Sequence, residues 1–121
     1  MKTAPDQFAY TDLREALRAL CNQYDSAYWQ KVDEARGYPA AFVDALTQAG
    51  WLAALVPEEY GGSGLTLAEA SVIMEEINRS GGNSGACHGQ MYNMNTLLRH
   101  GSDEQKRTYL PRIASGELRL Q

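Results

Sequence analysis

The sequence predicts an all-α domain, an orthogonal bundle of five to six helices with residues 1–121 forming a single unit. Three observations carry this reading. Apolar residues recur at helical spacing in one segment after another. Glycines, prolines and capping residues stand at the ends of those segments. No alternation of apolar and polar residues lasts beyond a few positions, so nothing reads as a half-buried strand.

Taken in order, Thr11 caps a first helix, with Asp12 in its first turn. Leu13, Ala16, Leu17, Leu20, Cys21 and Tyr24 fall on one face of it. Residues 25–37 are more polar, with Tyr28 and Trp29 as aromatic anchors and no clear regular structure before Gly37. Pro39 suits the first turn of the next helix, where its missing N–H costs nothing. Phe42, Val43, Leu46 and Ala49 line that helix, and Gly50 ends it in a left-handed conformation. Trp51 to Val56 is an apolar run too short for another helix, read as an extended, buried connector closed by Pro57.

Thr66 and Glu69 form a capping box for a helix reaching about Arg79. Leu67, Ala70, Ile73, Met74 and Ile77 are expected inward, with Glu69, Glu75 and Glu76 towards solvent or a neighbour. Gly81 and Gly82 end it. Another helix runs from Asn83 or Ser84 to Arg99 and stops at Gly101. Ser102 and Gln105 make a second capping box for a last helix, which Pro111 is expected to bend or interrupt before Gly116. Leu118 to Leu120 reads as the start of a strand.

Composition excludes several classes of function. Net charge is -4, and the eleven lysines and arginines never form a run of three, so no electrostatic footprint for nucleic acid exists. No apolar stretch approaches the ~18–20 residues of a membrane span. The opening residues lack the apolar core of a signal peptide and the pattern of a transit peptide. Cys21 and Cys87 have no metal-ligand spacing and sit on apolar stripes, as reduced core thiols do. A cytoplasmic location follows as the simplest expectation.

The chemistry-bearing candidates are few. Gly61-Gly62-Ser63-Gly64 suggests a phosphate loop, but no Lys-Ser/Thr pair follows and Leu67 stands where a dinucleotide fingerprint needs glycine. A tight turn leading into the Thr66 cap explains it better. Adjacent carboxylates Glu58-Glu59 and Glu75-Glu76 would point about 100° apart on a helix, so neither pair forms an acid/base dyad. In the segment 82–94, small residues Gly85, Ala86 and Gly89 surround His88 and precede Met91, Tyr92 and Met94. That pattern suits either helix–helix packing or an adaptable apolar ligand wall. His100 before Gly101 reads as a structural residue favoured by the helix dipole. No catalytic residue and no metal site is legible.

Two runs are more specific than the rest: Gly50-Trp-Leu, followed by Val56-Pro-Glu-Glu-Tyr-Gly-Gly-Ser-Gly-Leu65, and Gly101-Ser-Asp-Glu-Gln-Lys106, followed by Tyr109-Leu-Pro and Ala114-Ser-Gly-Glu117. In this order they resemble the amino-terminal domain of the acyl-CoA dehydrogenase family, over roughly residues 8–121. The resemblance implies a larger flavoenzyme, with a β middle domain and a carboxy-terminal helical domain beyond these residues. It implies FAD held mainly by those later domains, and α,β-desaturation of an acyl-CoA thioester by a base also located there. An electron-transfer acceptor and a homo-oligomeric parent are implied as partners, and the 121 residues alone are expected to be inactive.

The same resemblance assigns one wall of the acyl pocket to Ser84, Gly85, Cys87, His88, Met91, Tyr92 and Asn95. His88 departs from the common pattern. An unpaired imidazole buried against hydrocarbon costs about 1–3 kcal/mol, so a short, branched or functionalised acyl group is implied unless His88 points elsewhere or is hydrogen-bonded. Other chemistries of similar flavoproteins (acyl-CoA oxidase, nitroalkane oxidase, monooxygenase) and a non-catalytic helical interaction module are the alternatives. The helix over 84–99 and the connector 51–56 are expected to be partly uncovered, which favours self-association.

Overall fold

Six α-helices form among residues 10–120, the part of the chain that the computed structural model describes. They are α1 Thr11–Cys21, α2 Ser26–Glu34, α3 Ala40–Gln48, α4 Leu67–Arg79, α5 Gly85–His100 and α6 Asp103–Ala114. Two single 3-10 turns, Trp51–Ala53 and Glu58–Tyr60, lie between α3 and α4. No strand occurs among the described residues, so the all-α fold class holds.

The principal core gathers Leu17 and Cys21 of α1, Phe42, Val43 and Leu46 of α3, Ile73 and Ile77 of α4 and Cys87 and Met91 of α5 around Leu52 and Ala54. A second cluster joins Val56 to Met94 of α5 and to Leu110 and Ile113 of α6. The apolar run after Gly50 thus feeds both cores. It does so as a 3-10 turn, and the expected extended connector is corrected on this point. Gly50 takes φ 86 and reverses the chain. A tight turn then lets Leu52, Ala53, Ala54 and Val56 all face inward, whereas an extended run would direct alternate side chains to solvent.

Burial also rotates α1. Thr11 is its first helical residue, with Tyr10 at the cap in a left-handed conformation, φ 61. The buried side chains are Arg14, Leu17 and Cys21, while Ala16 is exposed. An arginine replaces a hydrophobe in the interior because α4 supplies its counter-charge. Arg14 Nη1 donates to Glu76 Oε1 at 2.9 Å and to Glu75 Oε1 at 3.1 Å. Arg18 Nε donates to Glu76 Oε2 at 2.9 Å. Glu76, expected towards solvent or a neighbour, is therefore fully enclosed, and Leu67, expected inward, is 60% exposed.

The segment without a clear reading, 25–37, contains α2. Asp25 caps it by accepting from the Tyr28 N–H at 3.0 Å. None of its residues is buried. Instead α2 is attached through edge-on aromatic contacts: Tyr28 with Tyr24 and Trp29 with Phe42, each at 4.9 Å between ring centres. Such pairs contribute about 0.5–1.5 kcal/mol beyond burial alone.

Both capping boxes form, Thr66 with Glu69 and Ser102 with Gln105. Pro39 stands at the cap of α3, one position before the first turn. Pro111 lies inside α6 without interrupting it, with its ring exposed and Leu110 and Ile113 on either side buried. The run 118–120 is no strand, but it is tethered, as described below.

Candidate functional site

A groove of about 400 Å³ lies between α4 and α5, with Leu55 also lining it. Leu67, Ala70, Ser71 and Met74 of α4 fall at i, i+3, i+4 and i+7 and form one wall. The other wall is a stripe along the whole of α5: His88, Met91 and Tyr92, then Asn95 and Thr96, then Arg99 and His100. Tyr92 is 68% exposed and Leu67 60%, so the groove is open to solvent on this chain. The rings of His88 and Tyr92 are tilted by 53° to each other, with centres 6.2 Å apart.

Of the expected wall residues, the fold brings His88, Met91, Tyr92 and Asn95 together on this groove. Ser84 precedes α5 and donates its hydroxyl to Asn78 Oδ1 at 2.9 Å, and Gly85 opens the helix. Neither lines the groove. Cys87 does not reach the groove and is fully enclosed in the principal core. Burial pushes its thiol up to about 12, so it is neither a nucleophile nor a metal ligand at neutral pH. Burial likewise raises Cys21, although a hydrogen bond with Ser80 pulls the other way. Both cysteines are free thiols.

Thr96, Arg99, His100, Leu67 and Met74 are groove residues that the sequence reading did not select. The stripe through His88 and Tyr92, continued at i+4 steps, would have found Thr96 and His100. Helical periodicity places Leu67 inside, and its outward turn follows from the docking of α4 on α1 through Glu76. The uncovered face is accordingly the α4–α5 groove, and not the connector, most of which is buried.

The inner side of α5 carries a second polar arrangement. Gln90 is fully buried, and its amide spans two backbone groups of the chain beyond α6. Gln90 Nε2 donates to the Leu118 carbonyl at 3.1 Å, and Gln90 Oε1 accepts from the Leu120 N–H at 2.6 Å. Asn93 Nδ2 donates to the Leu120 carbonyl at 3.3 Å. Arg119 reaches Asp44 of α3 at 2.6 Å. These contacts fix the path of 118–120 against the helix that lines the groove.

The glycine turn offers no cradle for the phosphates of the flavin that the resemblance implies. In the glycine turn, Gly61, Gly62, Ser63, Gly64 and Leu65 all donate their N–H groups to chain carbonyls. None is left to aim at a phosphate. A Cβ on Gly62 would lie 2.0 Å from the Val56 carbonyl oxygen, so the glycine serves close backbone approach. A shallow depression between α1 and α3, lined by Ala16, Leu20, Ala45 and Trp51 among others, contains no ionisable group. No cluster of three or more potential metal ligands exists among the described residues, and no helix there is long and apolar enough to cross a membrane.

Comparison with known proteins agrees with this architecture. The profile described as acyl-CoA dehydrogenase, N-terminal domain, matches residues 9–117. Mitochondrial isovaleryl-CoA dehydrogenase of Pongo abelii is 34% identical over 109 residues, covering 87% of this chain and 26% of that protein. The probable acyl-CoA dehydrogenase fadE25 of Mycobacterium bovis is 31% identical over 108 residues, covering 88% of this chain and 28% of that protein. The structure of a glutaryl-coenzyme A dehydrogenase with glutaryl-CoA superposes with a TM-score of 0.77 at 24% identity, covering 99% of this chain and 31% of that one. At that identity the likeness concerns the fold. The chain spans about a quarter of the length of the curated relatives it matches. With a family match across nearly all of its residues and the same helical architecture, the chain belongs to the acyl-CoA dehydrogenase family and corresponds to its amino-terminal domain.

Proposed function

We propose that this chain is the amino-terminal part of an FAD-dependent acyl-CoA dehydrogenase, in which the α4–α5 groove forms one wall of the acyl pocket. The observation that carries the reading is an open, partly apolar groove between α4 and α5. Leu67, Met74 and Met91 offer a thioether-rich hydrocarbon surface that adapts to an acyl chain. Tyr92 adds an amphipathic ring. In this reading FAD, the catalytic base and the remaining walls belong to polypeptide beyond these residues, and desaturation of the acyl-CoA takes place there. The role of these residues is to hold the acyl group and exclude water. An electron-transfer acceptor, a homo-oligomeric parent and a cytoplasmic location belong to the same proposal.

Flavin content tests the division of labour. The 121 residues should purify without stoichiometric FAD, whereas a protein carrying this domain together with the rest of its relatives' length should purify yellow. Tight stoichiometric FAD on the 121 residues alone would contradict the proposal. An uncovered groove also predicts self-association at high concentration, and a strictly monomeric light-scattering profile would count against it.

A further inference from the structure

Helix α2 is attached to the fold differently from its neighbours. Every other helix buries at least two residues, whereas α2 buries none. Among the described residues, Lys31, Asp33, Glu34 and the following Arg36 belong to no ion pair. The side chains of α2 make one hydrogen bond to another helix there: the Tyr28 hydroxyl oxygen accepts from the Phe42 N–H at 3.3 Å, a long contact. Rings supply the rest. Tyr28 meets Tyr24 and Trp29 meets Phe42, and a Cβ on Gly82 would lie 3.1 Å from Trp29 Cζ2, so the indole rests on the turn before α5. Neither apolar core counts an α2 residue among its buried members.

The closed position also carries two costs that opening removes. Trp29 Nε1 is enclosed and meets no acceptor among the described residues, and water would satisfy this donor once the helix moved away. Arg36, just past the end of α2, takes φ 50. That left-handed conformation strains any residue with a Cβ, whereas glycine adopts it freely. A helix of nine residues is marginal in water by itself, so detachment also unfolds it. We infer that α2 is a strap that opens as one unit. Its opening bares the flank of Phe42 and the turn leading into α5, while both apolar cores stay formed.

Residue-resolved hydrogen exchange of the 121-residue protein, measured at neutral pH in urea below the unfolding transition, tests this. The amides of Gln30 to Glu34 should exchange about a hundredfold or more faster than those of Ile73 and Ile77. They should share one opening constant that rises gently with urea, while Ile73 and Ile77 follow the steep dependence of global unfolding. Arg36→Gly should slow exchange in α2 about two- to fivefold, since relief of strain outweighs the freedom glycine adds to the open chain. If the α2 amides follow the steep dependence of Ile73 and Ile77, the helix opens only with the whole fold and the inference is overturned. A graded series of rates from one end of α2, indifferent to urea, overturns it too, because that is fraying and not a unit. So does unchanged or faster exchange in Arg36→Gly, which would show that no strain favours the open strap.

Discussion

Helix α4 has two faces with opposite fates. Towards α1 it buries a carboxylate, Glu76, and satisfies it completely with Arg14 and Arg18. Towards the α5 stripe it presents Leu67, Ser71 and Met74 to an open groove. The first face breaks the rule that charges stay outside, and every broken rule has a partner close by. The second leaves apolar surface that none of the described residues covers. Charge in the interior serves structure here, and the exposed hydrocarbon is the face proposed to bind. Substitutions on the two faces should separate stability from binding.

The largest effect is expected at Glu76. Glu76→Ala removes the carboxylate that the buried Arg14 meets at 2.9 Å, and should lower stability by about 2–3 kcal/mol, read as a shift of the urea midpoint at constant slope. That value lies below the full cost of an orphaned buried charge because Glu75 remains in place. An unchanged midpoint would mean that α1 and α4 are held by apolar packing alone. Next comes Gly62→Ala, whose Cβ would collide with the Val56 backbone. A loss of about 1–3 kcal/mol is expected from overpacking against a carbonyl that cannot swing away, and a neutral result would show that the turn can relax.

Gln90→Leu should cost about 1–2 kcal/mol, and hydrogen exchange at the Leu120 amide should accelerate while that at Ile73 stays protected. Equal acceleration at both would make Gln90 a general core residue rather than a tether. At the small end, Tyr92→Ala on the groove should change stability by no more than about 0.5 kcal/mol yet weaken acyl-chain binding. A large fall in stability would place Tyr92 among the packing residues.

Acid sharpens the same contrast. Hydrogen bonds from Arg18, followed by Arg14, hold the Glu76 carboxyl below its ordinary value of 4.5. A carboxylate with a lowered folded-state pKa contributes stability that is fully present above the unfolded-state value and is lost as pH falls through the folded-state one. Unfolding midpoints should therefore drop below about pH 4.5, and this component should be missing in Glu76→Gln. A Glu76→Gln profile that parallels the unsubstituted one would remove Glu76 as its source.

Much of this molecule was legible in the sequence because its helix ends are marked locally. Thr66 with Glu69, Ser102 with Gln105 and Gly50 act through neighbours a few residues away. Helix α2 was not legible, since it buries no residue fully and is held through rings that meet Phe42 of a later helix. The inward turn of Arg14 and Glu76 depends on partners about sixty residues apart, which no periodicity reveals. Part of the groove was visible in the spacing of His88 and Tyr92. Its other wall was hidden because Leu67, read by pattern, belongs inside, and only docked neighbours turn it out.

The α4–α5 groove is proposed to receive the acyl part of a thioester. Residue-resolved titration of the labelled protein with isovaleryl-CoA addresses it most directly. The signals of Leu67, Met74, Met91 and Tyr92 should move together and saturate, while Leu20 and Trp51 in the α1–α3 depression stay still. Movement at Leu20 and Trp51 instead, or no movement in the groove at ligand saturation, would contradict the claim.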